Sequence, residues 1–449
     1  MPLSSRRIGI LAGGGSIPHE IAASLAARRV PLFVVALDGE SDRPFEPHPS
    51  ATVNWGRIGR MVSLFRAAGT TDIVIVGRVS RPDLTRVRPD LGLVRALPMI
   101  LRIVRAGGDD AVLREVIAFF EGKGFRVVGP GDVAPELVLG AGPLGTARAD
   151  AADRADIALG LEVVARLGPL DIGQGVVVRG GRIAAIEGVE GTDRMLGRVA
   201  AIGRAAGGSG SVGAAAPQVS HPAGGMAHGV LIKRPKPGQE LRIDLPAIGP
   251  ETVTRAAEAG LKGIAVLAGR TIAAERAELV RRADALRLFV EGIPEAEPPP
   301  PVAAESWPAT LEMLEGRRPP PATLSSAVKG ARVVAALVPY GVGLAAVVVR
   351  RHVLAVEADE GALALVARVG ELRQWGLSRG RRRGVVVLSS GAATGPRVVE
   401  AAAGAGLEGL VVLGRNGGRV SAETLGAARR HGLFVAAALS AEARHVEVD

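Results

Sequence analysis

The stretch Lys233 to Asp244, KRPKPGQELRID, concentrates groups that can handle a phosphate. Lys233 and Lys236 can neutralise phosphate oxygens, and Gly238 lets the backbone come close. Asp244, together with Asp171 and Asp193 upstream, supplies hard oxygen donors of the kind magnesium prefers, or a base for water. Each aspartate taken alone reads as a helix cap or a surface ion pair, so only their grouping argues for chemistry. A second phosphate-type feature is the turn Ala12-Gly13-Gly14-Gly15-Ser16-Ile17-Pro18, which follows an apolar run and opens a helix. Its amides could cradle an anion. A ligand-free glycine turn fits the spacing equally well, and the absence of GxGxxG argues against a dinucleotide.

The elements that must position these residues follow from the apolar rhythm. Residues 7 to 130 alternate short β-rich runs (RIGILA, PLFVVAL, DIVIVGRV, FRVVGP) with helical stretches near Pro18 to Arg28 and Ile58 to Ala68, the pattern of a parallel sheet flanked by helices. In such sheets ligands bind beyond the C-terminal strand ends. A further α/β region runs to about 293, with a Gly, Ala and Ser-rich insertion at about 204–228. Residues 294–322, carrying Pro298 to Pro301 and Pro319 to Pro321, read as a stiff linker.

Beyond that linker the chain repeats itself. Residues 183–199 align without gaps onto 353–369, and 249–267 onto 395–413 with eleven identities. The expected fold is therefore α/β: a Rossmann-like parallel-sheet domain (1–132), then an α/β domain (133–293) that is duplicated in degenerate form (323–449). Packing residues should survive in both copies, whereas residues needed for chemistry can be lost from an idle one. The apolar positions do survive. Asp171, however, faces Gly341, Gln174 faces Leu344, Thr192 faces Ala362 and Asp193 faces Leu363, while Lys233 to Asp244 has no counterpart. The first copy thus carries polar groups that folding alone did not require.

Composition narrows the function. The net charge of +10 fits a phosphorylated substrate, an anionic surface or an arginine-rich background, but eight Phe, three Trp and one Tyr in 449 residues leave no basic-aromatic surface for nucleic acid. The segment Arg86 to Arg105, with Arg95, Arg102 and Arg105 on one side of a helix, could lie on an anionic membrane, and reads more simply as a surface helix. Apolar runs are too short to cross a bilayer, the Gly13 to Gly15 turn interrupts any signal-peptide core, and cysteine is absent; a cytoplasmic location is expected.

The strings ILAGGGSIP, IVGRVSRPDL, GDDAVL, FRVVGP, LDIGQGVVV, IEGVEGTDRML, GVLIKRPKPGQELRIDLPAIGPETV and AAEAGLKGIAV resemble, in order over residues 6–293, the UDP-2,3-diacylglucosamine pyrophosphatase family of the LpxI type. The resemblance implies a magnesium-dependent enzyme of lipid A synthesis, peripheral on the cytoplasmic face of a Gram-negative inner membrane, that cleaves UDP-2,3-diacylglucosamine to UMP and lipid X. Carried onto matching positions, the catalytic candidates are Asp244, Lys233 and Lys236. The substrate-binding candidates are Gly13, Gly14, Gly15, Ser16, Gln174, Thr192 and Gln239, and the Mg2+ ligands would be Asp244, Asp193 and Asp171. Leu267 stands where the family pattern has Glu, and the insertion and the third domain are additions. A catalytically inactive protein that binds a UDP-sugar lipid or lipid X is the alternative; a homo-oligomer stays open.

Overall fold

The computed structural model describes residues 6–79, 90, 92, 109–207, 228–295, 311–372, 382–389, 392, 394–414 and 420–438. The basic stretch around Arg95, nearly all of the insertion and residues 296–310 of the linker lie outside them.

The first domain is a five-stranded parallel sheet. Its strands are β1 (Ile8–Ala12), β2 (Leu32–Leu37), β3 (Ser50–Val53), β4 (Asp72–Val76) and β5 (Arg126–Val128), in the order β3-β2-β1-β4-β5. β3, with the short sequence SATV, carries no apolar run and was invisible to the strand rhythm; pairing with β2 makes it a strand. Helices α1 (Ile17–Ala27), α2 (Ile58–Ala67), α3 (Asp109–Glu121) and the short α4 (Pro130–Val133) cover the sheet. Because both faces are covered, the central strands are continuously apolar; all five residues of β1 are buried. The sheet order reverses at β1 and β4, which places a crevice beyond the C-terminal ends of those two strands.

The second domain is built on a six-stranded mixed sheet. Its strands are β6 (Gly142–Leu144), β7 (Gly175–Arg179), β8 (Arg182–Ile186), β9 (Val230–Lys233), β11 (Gly263–Leu267) and β13 (Phe289–Ile293), in the order β6-β13-β11-β9-β7-β8. A separate ribbon pairs β10 (Ala247–Ile248) with β12 (Ile272–Ala273). Helix α5 (Ala151–Leu167) covers one face, and α6 (Gly191–Gly207), α7 (Pro250–Glu258) and α8 (Arg276–Ala285) cover the other. The ribbon packs against the first domain: Ile272 lies in the core formed by Ile10, Ile21 and Val74, with Leu245 and Ala247 against it.

The third domain repeats this plan. Its strands β14 (Leu311–Glu315), β15 (Ala345–Val349), β16 (His352–Val356), β17 (Val385–Leu388), β18 (Gly409–Leu413) and β19 (Phe434–Ala438) are ordered β14-β19-β18-β17-β15-β16, with matching parallel and antiparallel pairings. Even the irregularity in the β7–β8 ladder between Val177 and Val178 recurs in β15–β16 between Val347 and Val348. Helices α9 (Pro321–Leu337), α10 (Gly361–Leu372), α11 (Pro396–Gly404) and α12 (Ala422–His431) complete it. The domain therefore begins at β14, inside the stretch read as linker, because an antiparallel edge strand of this sheet needs residues upstream of α9.

Packing glycines survive in both copies. A Cβ on Gly160 of α5 would lie 2.6 Å from Ile232, and one on Gly330 of α9 would lie 2.5 Å from Val387. These glycines let each helix sit close on its sheet. The ribbon β10–β12 and the loop leading into it have no described counterpart in the third domain. Helices α5 and α9 meet, so one apolar core runs from the second sheet into the third.

Candidate active site

Lys233 is the last residue of β9 and lies opposite Gly175 of β7. Its side chain is 7% exposed and its Nζ donates to the Ala247 carbonyl at 3.1 Å. In the third domain the equivalent register position, opposite Ala345, is Leu388. The chain leaves β9 and makes a tight turn, Lys236-Pro237-Gly238-Gln239, in which the Gln239 amide donates to the Lys236 carbonyl at 3.0 Å. Gly238 has φ +78, so proline presets the first central position and glycine alone suits the second, the chemistry of a type II turn.

Gln239 then acts as a strut. Its Oε1 accepts from the Lys236 amide at 2.7 Å, and its Nε2 donates at 2.6 Å to both the carbonyl and Oδ2 of Asp244. Gln174 Nε2 donates to the same Oδ2 at 3.1 Å. Two side-chain amides thus fix one oxygen of the Asp244 carboxylate. Asp244 itself sits on a helical turn, its amide donating to the Glu240 carbonyl at 3.0 Å. Arg242 clamps Glu240 and reaches Glu121 of the first domain at 3.0 Å.

Behind this lies the ion pair Lys236–Asp171, 2.7 Å between Nζ and Oδ1. Asp171 caps a short 3-10 turn in the left-handed region (φ +56), a conformation aspartate tolerates better than most residues.

The cavity, of about 870 Å³, lies between the first two domains. Lys233, Thr192, Asp193 and Asp244 line it from the second domain, and Gly14, Gly15, Ser16, Arg43 and Arg78 line it from the first. Of the residues singled out from sequence, Asp171, Gln174, Lys236 and Gln239 do not line the cavity; they form the layer that holds Asp244. Gly13 is likewise behind the wall. Its amide donates to Val76, and a Cβ there would lie 2.3 Å from the Arg78 carbonyl, so glycine is what lets the turn approach β4.

The amides expected to cradle a phosphate are engaged: that of Gly14 donates to the Arg78 carbonyl at 2.7 Å and that of Gly15 to Asp42 Oδ2 at 2.9 Å. The turn offers the cavity a close backbone surface rather than a nest of three donors.

Asp193, in the first turn of α6, is 3.9 Å from Arg255. No group of three His, Cys, Asp or Glu that could hold a metal occurs among the described residues, and Asp171 is committed to Lys236, so the three-aspartate set is not assembled. Two carboxylates on the cavity wall, Asp193 and Asp244, do suit magnesium, which commonly takes one or two protein carboxylates and fills its octahedron with water and substrate phosphate. Leu267, where a carboxylate was expected, is buried at the end of β11.

Three contributors were missed in the sequence. Arg43 and Arg78 follow β2 and β4, and the rule that ligands sit beyond C-terminal strand ends was the signal for both. Glu187, in the quoted string IEGVEGTD, is the third. Burial raises its pKa, against the pull of Lys233 and of a hydrogen bond from Thr192. Its Oε2 has no partner among the described residues.

This architecture defines a two-domain α/β protein with an appended repeat, whose interdomain cavity carries the cations Lys233, Arg43 and Arg78 among the carboxylates of Asp42, Glu190, Asp193, Asp244, Glu251 and Glu275. The comparisons with known proteins agree. The model of the LpxI N-terminal domain matches residues 7–137, and that of the LpxI C-terminal domain matches twice, at 140–291 and 311–436. The UDP-2,3-diacylglucosamine pyrophosphatase LpxI of Caulobacter vibrioides is 39% identical over 294 residues, which is 66% of this chain and all of that relative. The chain belongs to the LpxI family.

Proposed function

We propose that the protein hydrolyses the phosphoanhydride of UDP-2,3-diacylglucosamine, in which the water oxygen bonds to the β-phosphorus, the bond to the bridging oxygen breaks, and UMP leaves with that oxygen while lipid X keeps the other phosphate. The observation that carries this reading is the Asp244 carboxylate on the cavity wall, held through one oxygen by Gln174 and Gln239, in the same cavity as Lys233, Arg43 and Arg78.

Breaking a phosphoanhydride depends on charge neutralisation and in-line positioning more than on covalent chemistry. Lys233 is nearly dehydrated, which strengthens its attraction for a phosphate oxygen. Arg43 and Arg78 bring positive charge from the first domain, so both phosphates are gripped only when the two domains act together. Asp244, held in place by its amide donors, orients or deprotonates the attacking water. Mg2+ held by Asp193 and Asp244 would neutralise phosphate charge when bound. The cavity size falls in the range of small-ligand sites, roughly 300 to 1,000 Å³, and the acyl chains must extend beyond the cationic part.

Such a substrate lives in a membrane. Among the described residues no helix is long and apolar enough to cross one, so a peripheral position on the cytoplasmic face of the inner membrane is part of this proposal.

The test is UMP release from UDP-2,3-diacylglucosamine with and without magnesium, comparing the native protein with Asp244→Asn. Magnesium-dependent release that falls by about 10²-fold or more in the variant supports the reading, since single transition-state contacts of this type carry that much. Absence of release from folded native protein that still binds lipid X would replace it with a binding function.

A further inference from the structure

The second and third domains meet through a buried ring of four charges. Arg198 of α6 bonds Glu190 at 2.9 Å and reaches Glu360 of the third domain at 3.3 Å. Arg368 of α10 bonds Glu360 at 2.9 Å and reaches back to Glu190 at 3.3 Å. Each arginine also donates to the last carbonyl of a strand: Arg198 to Ile186 at 3.1 Å, Arg368 to Val356 at 3.2 Å. Both glutamate side chains are 4% exposed.

Every member has its counterpart at the same offset: 198 and 368, 190 and 360, 186 and 356 all differ by 170. When residue i of one copy contacts residue j of the other, and j of the first contacts i of the second, the contact is isologous, the geometry of a two-fold homodimer. Each copy contributes one arginine and one glutamate, so each half of the ring is neutral by itself and the two halves join through reciprocal contacts. Around it, α5 packs on α9, the apolar core runs through the contact, and the Val189 amide donates to the Leu354 carbonyl at 3.3 Å.

Three polar groups that line the cavity were lost from the third domain, yet those of this contact were kept. Thr192 became Ala362, Asp193 became Leu363 and Lys233 became Leu388, while Glu190 and Arg198 are retained as Glu360 and Arg368. Beyond the pair inside its own domain, each arginine reaches the glutamate of the other domain at 3.3 Å, a contact that an isolated domain does not make.

We infer that the third domain occupies the place of a second subunit: the face of the catalytic domain formed by Ile186 to Glu190 and Arg198 is a self-complementary dimer surface, which this chain covers with its own degenerate copy. Glu190 also lines the cavity, so the contact buttresses the loop that carries Thr192 and Asp193. The full chain is then monomeric through this face, and a chain ending at Ile293 pairs with a second copy of itself. That shorter chain has a precedent as a folding unit, since 294 residues of this protein match the whole of the Caulobacter relative.

Sedimentation velocity tests this without reference to activity. The full chain should sediment as a monomer and the 1–293 chain as a dimer. In the 1–293 chain R198E alone, and E190R alone, should each give monomers, because the ring becomes four like charges. Mixing the two variants should restore a dimer, because the ring is again two of each sign. A folded 1–293 chain that stays monomeric, or a dimer indifferent to both reversals, overturns the inference. Should the shorter chain not fold, the full chain decides: R368E should release the third domain from the face and produce a concentration-dependent dimer, which R198E added to it abolishes. A full-length R368E protein that remains monomeric counts against the proposal.

Discussion

The Glu357→Gln substitution tests whether the third domain kept a carboxylate after losing the cation that belonged beside it. Glu357 occupies the place of Glu187. In the second domain Lys233 and Lys236 pull the pKa of that carboxyl down, whereas in the third domain the Lys233 position is Leu388 and no cation among the described residues compensates. Burial, and secondarily the nearby Glu360, raise Glu357 from 4.5 to about 7. A carboxyl whose folded pKa is raised is most favourable to folding below its unfolded pKa, and that contribution is lost as pH rises from about 4.5 through about 7. A shift of that size corresponds to roughly 3 kcal/mol, at about 1.4 kcal/mol per unit, an upper figure because part of the repulsion is shared with Glu360. Glutamine removes the titration at nearly constant volume. Hydrogen-exchange mass spectrometry on peptides covering β15 and β17 should show variant and native protein equally protected near pH 4.5. At pH 8 the variant should be up to about 150-fold more protected, the factor that 3 kcal/mol allows. Protection ratios that stay constant across this range would refute the argument that Glu357 is buried without a compensating charge.

Two further outcomes follow from the support layer of the site. Gln239→Ala removes three hydrogen bonds that link the turn to Asp244, so turnover should fall about 10- to 100-fold with a stability loss of about 1–3 kcal/mol. Gln239→Glu keeps the shape but faces Asp244 with a like charge, and should move the acid limb of the pH–rate profile to higher pH; an unmoved limb would show that Asp244 does not titrate in the reaction. Gly13→Ala drives a methyl group into the Arg78 carbonyl and should lower the thermal midpoint of the first domain by several degrees, read by calorimetry with magnesium absent.

Much of the architecture was legible because it is encoded locally and repetitively. The apolar runs of β1, β2 and β4 identify a covered parallel sheet, and the gapless alignment of 183–199 onto 353–369 revealed a duplicated domain whose two sheets have the same strand order. β3 and β14 escaped notice since neither carries a full apolar alternation; pairing with a neighbour, rather than propensity, makes each a strand.

By itself the sequence determined the family, the duplication and the pool of polar residues absent from the second copy. Tertiary structure alone decided which members of that pool face the cavity. Lys233 and Lys236 are three residues apart and chemically identical, yet one lines the cleft and the other pairs with Asp171, because Lys233 is held in the sheet as the last residue of β9 whereas Lys236 has left the sheet and opens the following turn. Arg43 and Arg78 join the site only because β1, β2 and β4 end side by side. The charge ring of Glu190, Arg198, Glu360 and Arg368 exists only because two copies meet face to face. Sequence records residue type and local spacing; direction, burial and the convergence of segments more than a hundred residues apart are set by the packing of whole domains.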